Sequence, residues 1–147
     1  MDKLLFISVK PEFVDKIFNG TKQIELRKSR PHIDKGSVVL IYSTLPVKAL
    51  IGACVVESVI KDTPLKLWKE YSQLLGIDRK RYFEYYEGSE LAVGIRLTSI
   101  QKFNHEIPLA SIKNHFPEFT PPQTFKYFIK SRFEKAYPEY RQALSIA

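Results

Sequence analysis

The residues from Ile7 to Pro31 limit the possible fold of this chain more than any other segment. The string ISVKPEFVDKIFNGTKQIELRKSRP reads as a strand, a short helix, a glycine turn and a second strand. Proline is favoured at the first position of a helix, and Pro11 stands where this helix begins. Asn19-Gly20 is typical of a left-handed helix end. The segment therefore predicts two strands connected by one short helix.

The second strand of this segment has two chemically different faces. Ile24 and Leu26 alternate with Glu25 and Arg27, so a period of two residues separates the apolar pair from the charged pair. Lys22 adds an ammonium group at the turn. Three charged groups so close together indicate a site that binds a polar ligand. The alternative is that Glu25 and Arg27 simply pair with each other, which at a surface contributes only about 0–1 kcal/mol.

The remaining sequence predicts more strands than helices. Strands are predicted at residues 4–9, 38–42, 49–59, 91–97 and 99–103, where apolar residues run together or alternate. Gly52 indicates a bulge or a close approach of two backbones. Helices are predicted at residues 63–75, 79–86 and 107–115, and a terminal helix after Gln123 is predicted to bury Phe125, Phe128, Ile129 and Phe133. This pattern indicates a single α+β domain over residues 1–147, a small mixed β-barrel with helices covering its openings.

The overall charge favours polyanions as partners. The 147 residues include 23 lysines and arginines against 16 aspartates and glutamates, which gives a formal net charge of +7. This balance favours encounter with nucleic acid. The sequence shows neither a signal segment nor an apolar run that approaches the length of a membrane span. We therefore expect a cytoplasmic protein without a membrane partner.

Cysteine and histidine usage predicts neither a metal site nor a cofactor. Cys54 is the single cysteine, which excludes an internal disulfide and predicts a small buried core residue in a reducing compartment. His32, His105 and His115 are far apart, without metal-ligand spacing to one another. The sequence also contains no phosphate-binding loop and no dinucleotide fingerprint.

The opening segment resembles the ASCH domain family, a branch of the PUA-like barrels. Gly20, Lys22, Glu25 and Arg27 reproduce the family signature G-x-K-x-x-E-x-R with its spacing intact, and residues 8–11 resemble the family's entry strand and turn. The later strings VVLIYST, LAVGIRL and PPQTFKYF also resemble parts of the family. The resemblance implies a PUA-like barrel with a charged cleft beside the first helix. It also implies binding of RNA or of a nucleotide-like ligand.

A binding site is predicted from this resemblance together with the chemistry of the residues. Arg27 can form a forked pair of hydrogen bonds with phosphate or stack on a base. Lysine ammonium groups attract phosphate, and Glu25 can accept a hydrogen bond from an exocyclic amine. The predicted ligand-binding residues are Lys10, Lys22, Glu25, Arg27, Tyr42, Ser43, Thr44 and Gln123.

The resemblance leaves alternatives open about catalysis. Some ASCH-like proteins are amidohydrolases that act on acylated cytidine, and others are ribonucleases. Glu25 stands where the amidohydrolases carry a threonine, so that nucleophile is missing. If the protein is an enzyme, Glu25 and Lys22 are the predicted acid and base on a scissile phosphate ester. A third alternative is a regulatory module whose cleft recognises a protein or a small effector.

Residues 79–86, RKRYFEYY, allow two interpretations. Their basic side chains and aromatic rings could bind single-stranded nucleic acid. Alternatively, they form a covering helix whose aromatic rings face the core while the charges stay in solvent. We favour the second interpretation.

Overall fold

The computed structural model describes residues 2–145. Its strands are β1 Lys3–Val9, β2 Ile24–Arg27, β3 Val38–Ser43, β4 Ala49–Asp62, β5 Ala92–Pro108 and β6 Phe125–Ile129. Its helices are α1 Pro11–Asn19, α2 Pro64–Tyr71, α3 Arg79–Tyr85, α4 Leu109–His115, α5 Lys130–Ala136 and α6 Arg141–Leu144, with short 3₁₀ helices at Ser72–Leu74 and Pro138–Tyr140. Within this range, every helix is too short or too polar to cross a bilayer.

All six strands belong to one mixed sheet with the order β2-β5-β4-β3-β1-β6. Strands β1 and β3 are parallel, and every other neighbouring pair is antiparallel. The α+β class is confirmed. The strand pairing within residues 2–145 leaves β2 and β6 as the two edges, so the sheet is not closed by hydrogen bonds and the predicted barrel is not confirmed.

The two edges of this sheet nevertheless come together. Arg27, at the end of β2, donates from Nη2 to the carbonyl of Ser8 in β1 at 3.0 Å. Its Nη1 donates to the carbonyl of Thr124, which precedes β6, at 3.1 Å. The sheet must therefore curve strongly, which is consistent with twist accumulating from strand to strand. We call this side-chain contact between Arg27, Ser8 and Thr124 the seam.

Two apolar clusters cover opposite faces of the sheet because side chains alternate along each strand. Leu4 and Phe6 of β1 lie in a first cluster with residues of α4, α5 and α6. Leu5 and Ile7 lie in a second cluster with residues of α1. All four are almost fully buried. The register of β1 is thereby fixed, since a slip by one residue would exchange the two sets.

The alternation predicted for β2 is confirmed. Ile24 and Leu26 pack against α2 and α3 in a third apolar cluster. Both helices have side-chain caps, from Thr63 before α2 and Asp78 before α3, which satisfy backbone N–H groups at their first turns. The opposite face of β2 therefore turns toward the interior of the curved sheet.

The predicted terminal helix is wrong in its first half. Phe125–Ile129 forms strand β6, which pairs antiparallel with β1, and α5 begins only at Lys130. Pairing with a distant strand decides this segment, since context can override local pattern for aromatic residues that also favour strands. Phe133 is buried as predicted, whereas Ile129 is exposed.

Strand β5 is longer than the sequence predicted, because the two strands expected at residues 91–97 and 99–103 are one. The prediction for Gly52 is confirmed, since the register between β4 and β5 shifts there. A Cβ atom at Gly52 would also collide with the carbonyl of Gln101 and the ring of Phe18. Glycine is required at this position because the backbones approach closely.

Candidate functional site

The glycine turn after α1 places Lys22 in the interior of the protein. Gly20 ends the helix with a left-handed φ of 87°. Lys22 is 3% exposed, and its Nζ donates to the carbonyl of Leu75 at 2.7 Å. The same Nζ lies 3.9 Å from Oε1 of Glu25 and 5.1 Å from the centre of the Phe13 ring. The segment between α2 and α3 therefore covers this lysine.

Burial lowers the pKa of Lys22 from its ordinary value of 10.5, because an ammonium ion loses hydration inside the protein. The carboxylate of Glu25 partly opposes this change, while the positive charges of Arg27 and Lys16 reinforce it. A lysine with a lowered pKa is a better base near neutral pH than an exposed one. Here, however, its Nζ is already bonded to the Leu75 carbonyl.

Glu25 and Arg27 form a tightly bonded pair on the interior face of β2. Arg27 Nη2 donates to Oε2 of Glu25 at 2.5 Å, and the two side chains are 10% and 7% exposed respectively. Arg27 also makes the seam bonds to Ser8 and Thr124. Within residues 2–145, its Nε has no hydrogen-bond partner. Lys22, Glu25 and Arg27, which we call the buried cluster, thus bond mainly with the protein itself.

Two tyrosines at the end of α3 contact the last residue of β2 and the residue that follows it. The buried hydroxyl of Tyr86 donates to the Arg27 carbonyl at 2.9 Å. Tyr85 is 38% exposed, and Lys28 Nζ lies 4.9 Å from its ring centre. Tyr82 and Tyr86 are buried whereas Arg79 and Lys80 at the start of α3 are exposed, which confirms the covering-helix interpretation. Tyr85 differs, because its ring keeps contact with solvent.

Three other predicted site residues lie together at one end of the sheet. Lys10 follows β1, Thr44 follows β3, and Gln123 shortly precedes β6, which is antiparallel to β1. The backbone N–H of Thr44 donates to the carbonyl of Val9 at 3.0 Å. Lys10 and Gln123 are exposed and Thr44 is half-buried. We call Lys10, Thr44 and Gln123 the carboxyl edge, since the parallel strands β1 and β3 both end there.

Tyr42 and Ser43 are buried at the end of β3. The Tyr42 ring lies 5.4 Å from that of Phe6 in the first apolar cluster, and burial raises the pKa of its hydroxyl. Tyr42 is therefore on the other face of the sheet from Glu25 and Arg27. Ser43 is 2% exposed and lines a groove beside α1. The structure thus separates these two neighbours.

The groove beside α1 differs from the charged cleft predicted from the sequence, because none of the buried cluster lines it. Its volume is about 540 Å³. It is bounded by α1, by the end of β3, by Val47 of the following loop, by Ile51 of β4 and by residues 102–106 of β5. We call it the α1–β5 groove. Sequence reasoning missed it, and the one available signal was the polar run 104–106 between apolar neighbours.

The cysteine and the histidines lie apart from these sites. Cys54 is fully buried, as predicted, and burial raises the pKa of its thiol. His32, His105 and His115 are exposed. In the part of the chain that the structure describes, no three side chains of metal-binding type lie close enough to hold an ion.

The chain belongs to the ASCH domain family, whose sequence profile matches residues 7–101. The ASCH domain-containing ribonuclease of Zymomonas mobilis is 31% identical over 129 residues, which are 88% of this chain and 86% of that protein. The crystal structure of ASCH from Zymomonas mobilis matches the fold with a TM-score of 0.86 at 30% identity, covering 92% of this chain and 94% of that one. The resemblance noted in the sequence is thereby confirmed.

Two more distant proteins are also similar. The large ribosomal subunit protein uL22 of Ureaplasma parvum is 34% identical over 89 residues, 60% of this chain but only 28% of that protein. Human THYN1, solved in complex with DNA containing 5-methylcytosine, has a TM-score of 0.57 at 10% identity, covering 95% of this chain and 98% of that one. The likeness to THYN1 concerns the fold alone.

Proposed function

We propose that this protein binds single-stranded RNA at the carboxyl edge formed by Lys10, Thr44 and Gln123. The observation that carries the proposal is the relative named a ribonuclease, which is 31% identical over 88% of this chain. The net charge of +7 supports it, since basic side chains release counterions from a nucleic acid when they bind it. An exposed ammonium group, a hydroxyl and an amide also suit the phosphate and base contacts of an unpaired strand.

In this proposal the buried cluster supports the carboxyl edge instead of contacting phosphates. Arg27 bonds the carbonyls of Ser8 and Thr124, which lie close in sequence to Lys10 and Gln123. It thereby fixes the backbone that carries both exposed side chains. An RNA phosphate would reach Arg27 only by replacing bonds that the arginine already makes within the protein.

We also propose that residues 1–147 form a single PUA-like domain in which the seam takes the place of the last ladder of a closed barrel. The support is the contact of Arg27 with both Ser8 and Thr124. Unfolding in urea followed by circular dichroism and by tyrosine fluorescence should then give one coincident transition. Two separated transitions would contradict a single domain.

Fluorescence anisotropy with a short labelled single-stranded RNA tests the binding proposal. We expect an affinity that falls steeply between about 50 mM and 200 mM salt, because phosphate contacts release counterions. Competition by nucleoside monophosphates shows whether a single nucleotide is sufficient. Failure of the RNA to bind at the lower salt concentration would contradict the proposal.

Cleavage of RNA is a second candidate, favoured by the name of the Zymomonas mobilis relative. Lys22 and Glu25 are its predicted base and acid, and the lowered pKa of Lys22 suits a base. Their burial requires that the segment at Leu75 move before a substrate can reach them. Gel electrophoresis of the same RNA after incubation with the parent and with Lys22→Ala tests this. Fragments from the parent, and none from a Lys22→Ala variant that keeps the parent's circular dichroism spectrum, support the assignment. Equal fragments from both proteins place the catalytic groups elsewhere.

A further inference from the structure

A large irregularity in the sheet builds one wall of the α1–β5 groove. Leu50 pairs with Ile107 and Gly52 pairs with Lys102, so residues 103–106 of β5 all lie opposite the single residue between Leu50 and Gly52. Such a bulge interrupts the ladder and redirects side chains, and bulges are over-represented next to active sites. The bulge therefore gives this groove a feature that is common beside active sites.

The groove has an apolar floor and a polar rim. Val14, Ile51 and Phe103 line it and are 3%, 8% and 6% exposed. The carboxylates of Asp15 on α1 and Glu106 on β5 belong to exposed residues on two different walls. A flat apolar ligand can pack on this floor while hydrogen-bond donors at the edge of the ligand donate to the two carboxylates. The combination of an apolar surface with a few polar groups is typical of small-ligand sites.

The groove is continuous with the carboxyl edge. Ser43 and Pro11, which line the groove, are the direct neighbours of Thr44 and Lys10 in sequence. A strand bound along the edge would therefore have a pocket within reach of one of its bases.

We infer that the α1–β5 groove receives one unpaired base of the bound RNA and prefers a base with an exocyclic amine over uracil. This inference rests on the proposed RNA binding and deepens it. The volume of about 540 Å³ lies within the usual range for ligand pockets. Asp and Glu accept hydrogen bonds from the N4 amine of cytosine. Uracil carries a carbonyl oxygen in that position. This oxygen cannot donate a hydrogen bond to the carboxylate of Asp15 or Glu106.

Two labelled oligomers of equal length, one of cytosine and one of uracil, test the inference by fluorescence anisotropy. We expect the parent to bind the cytosine oligomer roughly tenfold more tightly. The variant with Asp15→Ala and Glu106→Ala lacks both acceptors, so it should bind the two oligomers equally. A matched control, Glu70→Ala with Glu118→Ala, removes the same charge from exposed positions outside the groove and should keep the preference.

The possible outcomes distinguish base binding in the α1–β5 groove from RNA binding at the carboxyl edge. Equal binding of both oligomers by the parent, or a preference that survives in the groove variant, overturns the inference and leaves RNA binding intact. A parent that binds neither oligomer overturns both proposals. If the groove variant does not fold, methyl NMR of the parent with cytidine monophosphate decides. Shifts at Val14 and Ile51 support the inference, and shifts confined to residues outside the groove refute it.

Discussion

The buried cluster and the carboxyl edge each contain a lysine, but the fold places the two lysines in opposite environments. Lys22 is 3% exposed and bonded to a backbone carbonyl, whereas Lys10 is exposed at the end of a strand. Arg27 belongs to the cluster, yet it bonds the backbone that leads to the edge. A buried charged motif can therefore support a binding surface by fixing the backbone that carries the exposed side chains.

The two regions should also differ in energy. Removing one partner of a buried ion pair costs about 3–5 kcal/mol of stability, whereas an exposed pair contributes about 0–1 kcal/mol. Substitutions in the buried cluster should therefore act first on folding, and substitutions at the carboxyl edge should act on binding. Measuring both the free energy of unfolding and the RNA affinity of each variant tests this difference.

The largest effect is expected for Arg27→Leu. The change leaves the Glu25 carboxylate buried without its nearest cation and frees the carbonyls of Ser8 and Thr124. We expect the free energy of unfolding to fall by about 3–5 kcal/mol. Urea unfolding followed by circular dichroism measures it. The sequence predicted Arg27 as a ligand-binding residue, and its burial adds a structural role that the sequence did not indicate.

A matched control for this variant is Arg96→Ala. Arg96 pairs with Glu57 at 3.1 Å, but the two side chains are 36% and 49% exposed. Its loss should cost no more than about 1 kcal/mol. Equal losses of stability in the two variants would show that burial does not distinguish the cluster from a surface pair.

A smaller effect, dependent on pH, is expected for Lys22→Met. At neutral pH the variant loses the hydrogen bond to Leu75 and should be less stable by about 1–2 kcal/mol. The pKa of Lys22 is lowered by burial, so above this lowered pKa and below 10.5 the unfolded chain binds more protons than the folded one. The free energy of unfolding of the parent should therefore rise with pH in that window, relative to the variant.

Comparison with the variant isolates this contribution. Burial raises the pKa of Tyr42 and of other tyrosines, so these groups reduce stability as the pH rises above 10 in both proteins. The difference in free energy of unfolding between parent and Lys22→Met removes their contribution. We expect this difference to grow as the pH rises from the lowered pKa of Lys22 toward 10.5. A difference that stays constant would show that Lys22 titrates as it does in the unfolded chain.

The opening segment was predictable because its signals are local. Pro11 and Gly20 limit α1, and the alternation of β2 follows from its own residues. The strand β6 was not predictable, since its pairing with β1 links residues from the two ends of the chain. The phenylalanines of β6 do not by themselves indicate which strand β6 will pair with.

The proximity of the three charged residues in the signature was predictable, whereas their burial was not. Spacing correctly brought Lys22, Glu25 and Arg27 together, but their burial depends on Leu75 and on the chain before β6, which are distant in sequence. The α1–β5 groove was missed because a bulge is a mismatch between two strands. No property of β5 alone specifies which residue of β4 its extra residues will oppose.

The smallest effect, and the most direct test of the carboxyl edge, is expected for Lys10→Ala. The side chain is exposed, so the free energy of unfolding should stay within about 0.5 kcal/mol of the parent value. RNA affinity should fall several-fold, and the slope of log K against log salt should decrease by about one, as expected for one lost phosphate contact. Lys35→Ala is the control, because Lys35 is exposed in the turn before β3, at the opposite end of that strand from Thr44. Equal changes in both variants would mean that RNA affinity depends on net charge alone. Such a result would contradict the assignment of the binding site to the carboxyl edge.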